Sequence, residues 1–112
     1  MIIAACALSH FTEIGHLLED MAPLGIGLYQ HEYDALAFGS FVVVLGTDHQ
    51  RVRFSWDGKE SVLAIAMADV QNTSSTCNWV QDAHVSLPNG EGLFAEIASE
   101  ACSMLKGGDY AV

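Results

Sequence analysis

Positive charge is scarce in this sequence. Of 112 residues, four are lysine or arginine and fourteen are aspartate or glutamate, which gives a formal net charge of −10 at pH 7. The first 50 residues contain no lysine or arginine. Contact with nucleic-acid phosphates or with an anionic membrane surface needs clustered basic side chains. We therefore expect neither as a partner, whereas a basic protein fits the charge; acidity that serves solubility alone is the simpler interpretation.

Cysteine is also scarce, and its count is odd. Cys6, Cys77 and Cys102 show no CxxC spacing, which argues against a disulfide framework and against a cysteine-rich zinc site. The apolar residues 1–8 lack a preceding basic segment and are too few to span a bilayer. We expect free thiols, no signal peptide and a cytoplasmic location.

A three-stranded antiparallel meander is the clearest pattern, and it occupies residues 41–68. Residues 51–56, RVRFSW, alternate between apolar and polar side chains, as in a strand with one buried face. The strand before it reads FVVVL and the strand after it reads SVLAIAMA. A four-residue loop over residues 47–50 brings the large apolar residues onto one face. The predicted core face consists of Phe41, Val43, Leu45, Val52, Phe54, Trp56, Leu63, Ile65 and Met67.

The second turn of the meander contains a specific signal. Asp57-Gly58 is typical of a two-residue type I′ hairpin turn, which requires a positive φ at glycine. Such a turn predicts that Trp56 lies opposite Lys59 and that Phe54 lies opposite Ser61.

Two helices and two more strands complete the prediction. Residues 2–21 are expected to form a helix that ends at Pro23 and Gly25. A helix start at Ser9, with a strand over residues 1–8, stays open. The expected apolar stripe of this helix is Phe11, Ile14, Leu17, Leu18 and Met21.

The remaining segments follow from alternation and from turn residues. Strands are expected over residues 26–33 and 79–87, the latter with Trp79, Ala83, Val85 and Leu87 on one side. Leu36 and Phe38 are expected to tuck under the loop before the meander. A polar loop over residues 71–78 and a C-terminal helix over residues 91–106, ended by Gly107-Gly108, complete the order α-β-β-β-β-β-α. The sequence thus predicts one α+β domain over residues 1–112, with two layers: an antiparallel meander of four to five strands and two flanking helices.

The outer face of the predicted sheet is unusual, because half of it is aliphatic. A solvated face is normally mostly polar. Here Val42, Val44, Val62 and Ala64 share it with Arg51 and Arg53. Either the chain's own loops or terminal segment cover this face, or it is a contact surface for another chain.

No catalytic or metal-binding motif is recognisable. His10 and His16 are six positions apart and lie on different faces of the helix, unlike the ligands of an HExxH site. Cys77 or Cys102 could meet His84 only through the fold. We expect no metal and no cofactor.

The strings FGSFVVVL, RVRFSWDGK and LAIAM, in residues 38–67, resemble the meander of short bacterial α+β proteins. Some such proteins are toxin immunity proteins, and others are orphan products of mobile gene cassettes. The resemblance implies a binding module rather than an enzyme, and it assigns no functional residue.

Two functions follow as hypotheses. The first is a non-enzymatic, acidic protein-binding module that binds a basic partner such as a toxin, or a second copy of itself as a homodimer. Its predicted contact residues are Val42, Val44, Arg51, Arg53, Val62 and Ala64. The alternative is a small-molecule binding domain or a small enzyme. Its pocket would be lined by Tyr29, His31 and Tyr33, which simple alternation places on one face of the first strand.

Overall fold

The computed structural model describes residues 2–34, 36–69 and 79–106. The main elements, in chain order, are α1 (Ile2–Met21), β1 (Gly27–Asp34), β2 (Ser40–Gly46), β3 (Gln50–Asp57), β4 (Val62–Asp69), β5 (Val80–Ser86) and α2 (Leu93–Lys106). The five strands form one antiparallel sheet in the order β1-β2-β3-β4-β5. This architecture confirms the predicted α+β fold class. The predicted loop over residues 71–78, Cys77 and the predicted helix stop at Gly107-Gly108 lie outside the described residues.

The first helix begins at Ile2, so the alternative start at Ser9 is wrong. It ends where Pro23 enters a single 3-10 turn and Gly25 adopts a left-handed conformation with φ of 77°. The Gly25 N–H donates to the Ala22 carbonyl at 3.0 Å, which satisfies one of the carbonyls left free at a helix end. Among the described residues, no helix is both long and apolar enough to cross a membrane.

Both helices pack on the core face of the sheet. From α1 the buried apolar residues are Ile14, Leu17 and Met21, and from α2 they are Leu93, Ile97, Ala101 and Leu105. Of the predicted core face, eight residues are at most 8% exposed, and Met67 is partly buried against them. The prediction of this face is therefore confirmed.

The predicted stripe of α1 needs one correction. Phe11 is 52% exposed, whereas its neighbour His10 is only 7% exposed. The buried positions are thus 10, 14, 17 and 21, a helical repeat of four and three residues that passes through a histidine. The reason is tertiary: the sheet and α2 bring aromatic rings against position 10.

The predicted register of β3 against β4 is wrong, but the prediction of which side chains face the core is correct. Trp56 pairs with Leu63 rather than with Lys59, and Phe54 pairs with Ile65 rather than with Ser61. The shift along β4 is four residues. Because side chains alternate with a period of two, an even shift leaves every residue on its predicted face.

The turn between these strands is longer than predicted, and its chemistry differs. The Asp57 carboxylate accepts hydrogen bonds from the backbone N–H of Lys59 at 3.0 Å and of Glu60 at 3.1 Å. These bonds stabilise a loop over residues 58–61, as aspartate commonly does in turns. Ser61, with φ of 55°, and not Gly58, adopts the left-handed conformation. The predicted two-residue type I′ turn is therefore wrong.

Candidate functional site

The outer face of the sheet has two chemically different ends. We call the first the arginine end, where Arg51 and Arg53 of β3 lie. The guanidinium carbon of Arg51 is 3.4 Å from the centre of the Tyr29 ring, and that of Arg53 is 4.6 Å from the Trp79 ring. Both contacts have the geometry of cation–π interactions. Arg51 also donates hydrogen bonds from Nη1 to the carbonyls of Thr47 and Gln50.

Irregularities in the two edge strands produce these contacts. The pairing of β1 with β2 shifts between Leu28 and Gln30, so Tyr29 is an extra residue and its ring reaches the outer face. The pairing of β4 with β5 shifts between Ile65 and Ala66, and Trp79 beyond the shift reaches the outer face in the same way. The predictions that Tyr29 shares a face with His31, and that Trp79 shares one with Ala83, are therefore wrong.

These contacts change the predicted set of partner-binding residues. Val44 is 3% exposed, so it is already buried within the single chain. Arg51 and Arg53 are half-buried and are engaged by the chain's own aromatic rings. The other three predicted contact residues, Val42, Val62 and Ala64, are half-buried and lie at the opposite end.

That opposite end is a cleft of about 780 Å³, which we call the acidic cleft. Its floor is a row of residues that face one another across all five strands: Glu32, Val42, Ser55, Ala64 and His84. Small side chains occupy the middle of this row and charged or imidazole groups occupy its ends. The volume lies within the range of ordinary ligand sites. The remaining lining residues are Tyr33, Asp34, Ala37, Ser40, Phe41, Trp56, Asp57, Glu60 and Val62.

The charge of the cleft has one sign. Its ionisable groups include the carboxylates of Glu32, Asp34, Asp57 and Glu60, and its described lining contains no lysine or arginine. The Glu32 carboxylate accepts a hydrogen bond from Gln30 Nε2 at 2.6 Å, and the Asp34 carboxylate accepts one from the backbone N–H at position 36, at 3.0 Å. Neutral amide donors orient these groups without cancelling their charge.

Two turns form a wall of the cleft and pack tightly together. The backbone N–H of Gly58 donates to Ser40 Oγ at 3.0 Å. A Cβ atom at position 58 would lie 2.8 Å from the carbonyl carbon of Phe38 and closer still to its oxygen. Contrary to expectation, Leu36 and Phe38 do not tuck under the loop, because their side chains are 81% and 69% exposed.

A second group of residues lies on the core side of β1, and we call it the aromatic cluster. Its members are His10, Phe11, His31, Tyr33, Phe41 and Phe94. His10 Nε2 is 2.8 Å from His31 Nε2, so one nitrogen donates a proton and the other accepts it. The His10 ring also stacks on the Tyr33 ring, with centroids 4.1 Å apart and an interplanar angle of 17°.

Burial keeps both histidines neutral. Loss of water around the ring is the main cause, and the nearby His31 the second, of a His10 pKa that is lowered to about 4. Burial also lowers the pKa of His31. The alternative prediction was a pocket lined by Tyr29, His31 and Tyr33. The structure brings two of these together, since His31 and Tyr33 both contact His10, but Tyr29 contacts Arg51 on the other face of the sheet.

The other candidates from the sequence do not assemble into a site. His84 lines the cleft on the outer face, whereas Cys102, a free thiol on α2, packs against the core on the other side of the sheet. Within residues 9–34, 36–69, 79–80 and 83–105, no group of three or more His, Cys, Asp or Glu side chains has the placement to hold a metal ion. His16 is exposed on α1.

A scan against models of protein families, a search of curated proteins and a search of solved structures found no match to this chain.

Proposed function

We propose that this protein is a binding module whose acidic cleft takes an extended, positively charged segment of a partner protein. The observation that supports this most directly is the composition of the cleft. Four carboxylates lie around or at the end of a floor whose middle carries small side chains, and the lining described above contains no lysine or arginine. An arginine- or lysine-bearing segment with small apolar side chains complements both features.

The floor is a row of residues across five strands, and an extended, strand-like segment can lie along such a row. Successive residues of an extended chain rise about 3.3 Å, and every second side chain points the same way. A peptide with cations at alternate positions therefore directs one row of charges toward the cleft. The apolar stems of arginine and lysine can lie on Val42, Val62 and Ala64 while the charged heads reach the rim.

Residues 38–67 resemble the meander of short bacterial α+β proteins, some of which are toxin immunity proteins, and this resemblance favours a basic toxin as the natural partner. Self-association through the same face is a less favourable arrangement, because two chains of formal charge −10 repel each other. A small cationic ligand, such as a polyamine, has the same charge complementarity and a smaller contact area.

A peptide titration tests the proposal. The probe is a capped hexapeptide of alternating arginine and valine, and the controls replace arginine by glutamine or by glutamate. We expect the arginine peptide alone to bind in calorimetry at low salt, with an affinity that falls as salt is added. Amide NMR shifts should change along the row from Glu32 to His84.

Charge and shape variants locate the binding surface. Glu32→Gln with Glu60→Gln should weaken peptide binding about fivefold, because exposed ion pairs contribute about 0.2–1 kcal/mol each. The matched control is Glu13→Gln with Glu19→Gln, which makes the same change of net charge on the exposed face of α1. Ala64→Phe should block the floor and abolish binding without changing any charge.

Four results would contradict the proposal. They are equal binding of the three peptides, equal loss of affinity in the control variant, binding of spermidine but of no peptide, and a dimer in light scattering that Ala64→Phe converts to monomers.

A further inference from the structure

The two histidines of the aromatic cluster join the first helix to the edge of the sheet. His10 belongs to α1 and His31 to β1, and their Nε2 atoms are 2.8 Å apart. Their rings are nearly parallel, with centroids 5.0 Å apart. His10 also contacts Phe41 of β2, at 4.7 Å between centroids, and Phe94 of α2, at 5.8 Å. Four elements thus meet at a single titratable ring.

The hydrogen bond between two imidazoles depends on their proton count. In the neutral pair, one Nε2 carries a proton and the other offers a lone pair. One additional proton leaves a donor facing an acceptor. A second additional proton leaves two N–H groups facing each other, so the bond is lost and two positive charges adjoin in a buried site. The first proton therefore keeps the hydrogen bond but places a positive charge in a buried site, and the second proton removes the bond as well.

The surroundings contain little that would stabilise a positive charge on His10. From β1 the ionisable groups are His31 and Tyr33, while β2 and α2 contribute the rings of Phe41 and Phe94. On α1 itself, Glu13 is one turn away and exposed. The loss of hydration on burial is the largest influence on His10 and lowers its pKa.

The aromatic cluster and the acidic cleft share two residues. The rings of Tyr33 and Phe41 contact His10 on the core side, and both residues are also among those that border the cleft, next to Glu32 and Val42 of the outer face. Movement of α1 away from β1 would remove the ring that fixes Tyr33. The strand that His10 contacts through His31 and Tyr33 is thus the strand that carries Glu32 and Asp34 of the cleft.

We propose that His10 and His31 form a proton-operated latch: proton uptake releases α1 from β1, and the release dismantles the acidic cleft. The second half of this inference rests on the proposed function, and the first half does not. His31, which is half-buried, gives protons a route to the pair.

The expected pH range follows from linkage. In the open state His10 regains its ordinary pKa of about 6.5, whereas in the closed state its pKa is about 4. The open state therefore binds more protons, so the closed state is favoured above pH 6.5 and progressively loses its advantage as the pH falls toward 4. Between pH 7 and pH 5 the opening constant should rise about twentyfold from His10 alone, and further through His31.

Amide hydrogen exchange measures the latch directly. Protection factors of α1, corrected for the intrinsic pH dependence of exchange, should fall at least twentyfold between pH 7 and pH 5. His10→Phe keeps an aromatic ring in the cluster and removes the titration of His10, so the pH dependence of α1 protection should fall to the part contributed by His31. His16→Phe, at an exposed position of the same helix, is the matched control and should behave like the wild type.

A second pair of measurements keeps the inference testable if His10→Phe does not fold. His31→Gln retains one donor and one acceptor. It should make the protection factors of α1 depend less steeply on pH. The imidazole resonances of His10 should titrate well below pH 6.5 in the wild type. A wild-type protection factor that does not change with pH, an unchanged slope in both variants, or a His10 pKa at or above 6.5 would overturn the latch.

The link to the cleft is tested with the arginine–valine hexapeptide. If opening dismantles the cleft, peptide at one hundred times its dissociation constant should raise the protection of α1 about a hundredfold at pH 5. Peptide that binds without changing this protection would disprove the link and leave the latch intact. If no peptide binds, the proposed function fails and the peptide-free exchange data still decide the latch.

Discussion

Gly58 is the position where a single methyl group should have the largest local effect. The φ angle of Gly58 is not positive, so an alanine there faces no backbone strain. Its Cβ atom, however, would lie 2.8 Å from the Phe38 carbonyl carbon and 3.2 Å from the Phe38 Cβ. The carbonyl is backbone, in a turn that is held by hydrogen bonds from the Ala37 N–H to the Asp34 carbonyl and from the Ser40 N–H to the Ala37 carbonyl, so it cannot rotate away like the end of a flexible side chain.

The cost of Gly58→Ala can be worked out from these contacts. Forcing extra atoms into a packed site typically costs about 1–3 kcal/mol. Separation of the two turns also breaks the hydrogen bond from the Gly58 N–H to Ser40 Oγ, which contributes about 1 kcal/mol. Alanine also lowers the conformational entropy of the unfolded chain, which offsets about 0.4–1 kcal/mol of this loss. We therefore expect a net loss of about 1–3 kcal/mol in the free energy of unfolding, which is a large part of the 5–15 kcal/mol typical of whole domains.

Urea denaturation followed by circular dichroism provides the assay. Gly15→Ala is the matched control, because a Cβ there would meet nothing within 4 Å and position 15 is inside α1. That control should raise stability by about 0.5–1 kcal/mol. Ser40→Ala separates the hydrogen-bond part of the loss from the steric part. A Gly58→Ala protein as stable as the wild type would refute the close packing of the two turns.

Two further predictions concern the two faces of the sheet. Phe54→Ala removes a fully buried ring from the centre of the core and should cost about 3–5 kcal/mol, measured as a shift of the urea midpoint; a wild-type midpoint would mean that the core face is misassigned. Trp79→Ala removes the ring over Arg53 and should cost about 0.5–2 kcal/mol. Arg53→Gln in the Trp79→Ala background should then add little, and full additivity of the two losses would show that the contact is not formed in solution.

The two faces of the sheet were predictable because side chains alternate along a strand with a period of two residues. An error in strand register of an even number of residues therefore leaves each side chain on the same face. The pairing of Trp56 changed by four positions and the core face did not change. The identity of the turn was not predictable in the same way. Gly58 is glycine because the backbone of Phe38, a residue distant in sequence, approaches it, and no local pattern records that approach.

The edge strands show a second limit of sequence patterns. A bulge inserts one residue, and one residue is enough to move a side chain to the opposite face. Tyr29 and Trp79 are both displaced by such irregularities, and both then contact an arginine of β3. Alternation alone could therefore not separate Tyr29 from His31. The cation–π partners become evident only when both edges are placed beside β3.

His10 shows the corresponding limit for a helix. Positions 10 and 11 are adjacent on the helix surface. Because phenylalanine is more hydrophobic than histidine, the sequence pattern places Phe11 and not His10 on the buried side. The choice was made by long-range contacts, since His31, Tyr33 and Phe41 surround position 10. The predicted apolar stripe therefore omits His10, the residue through which the helix contacts the sheet.

The opposite charges of the outer face also constrain how a partner would lie on it. Along β3, Arg51 and Asp57 are six residues apart, which corresponds to about 20 Å of strand. That separation is more than twice the screening length of about 8 Å at physiological salt, so Arg51 does not neutralise Asp57. Arg53 lies nearer, two residues from Ser55 of the cleft floor, but its guanidinium is placed against the Trp79 ring. A bound segment that covers both ends should therefore place its cations over the cleft and its neutral or acidic residues over Arg51. Reversal of the segment would set like charges against each other at both ends, so the face favours one direction of binding.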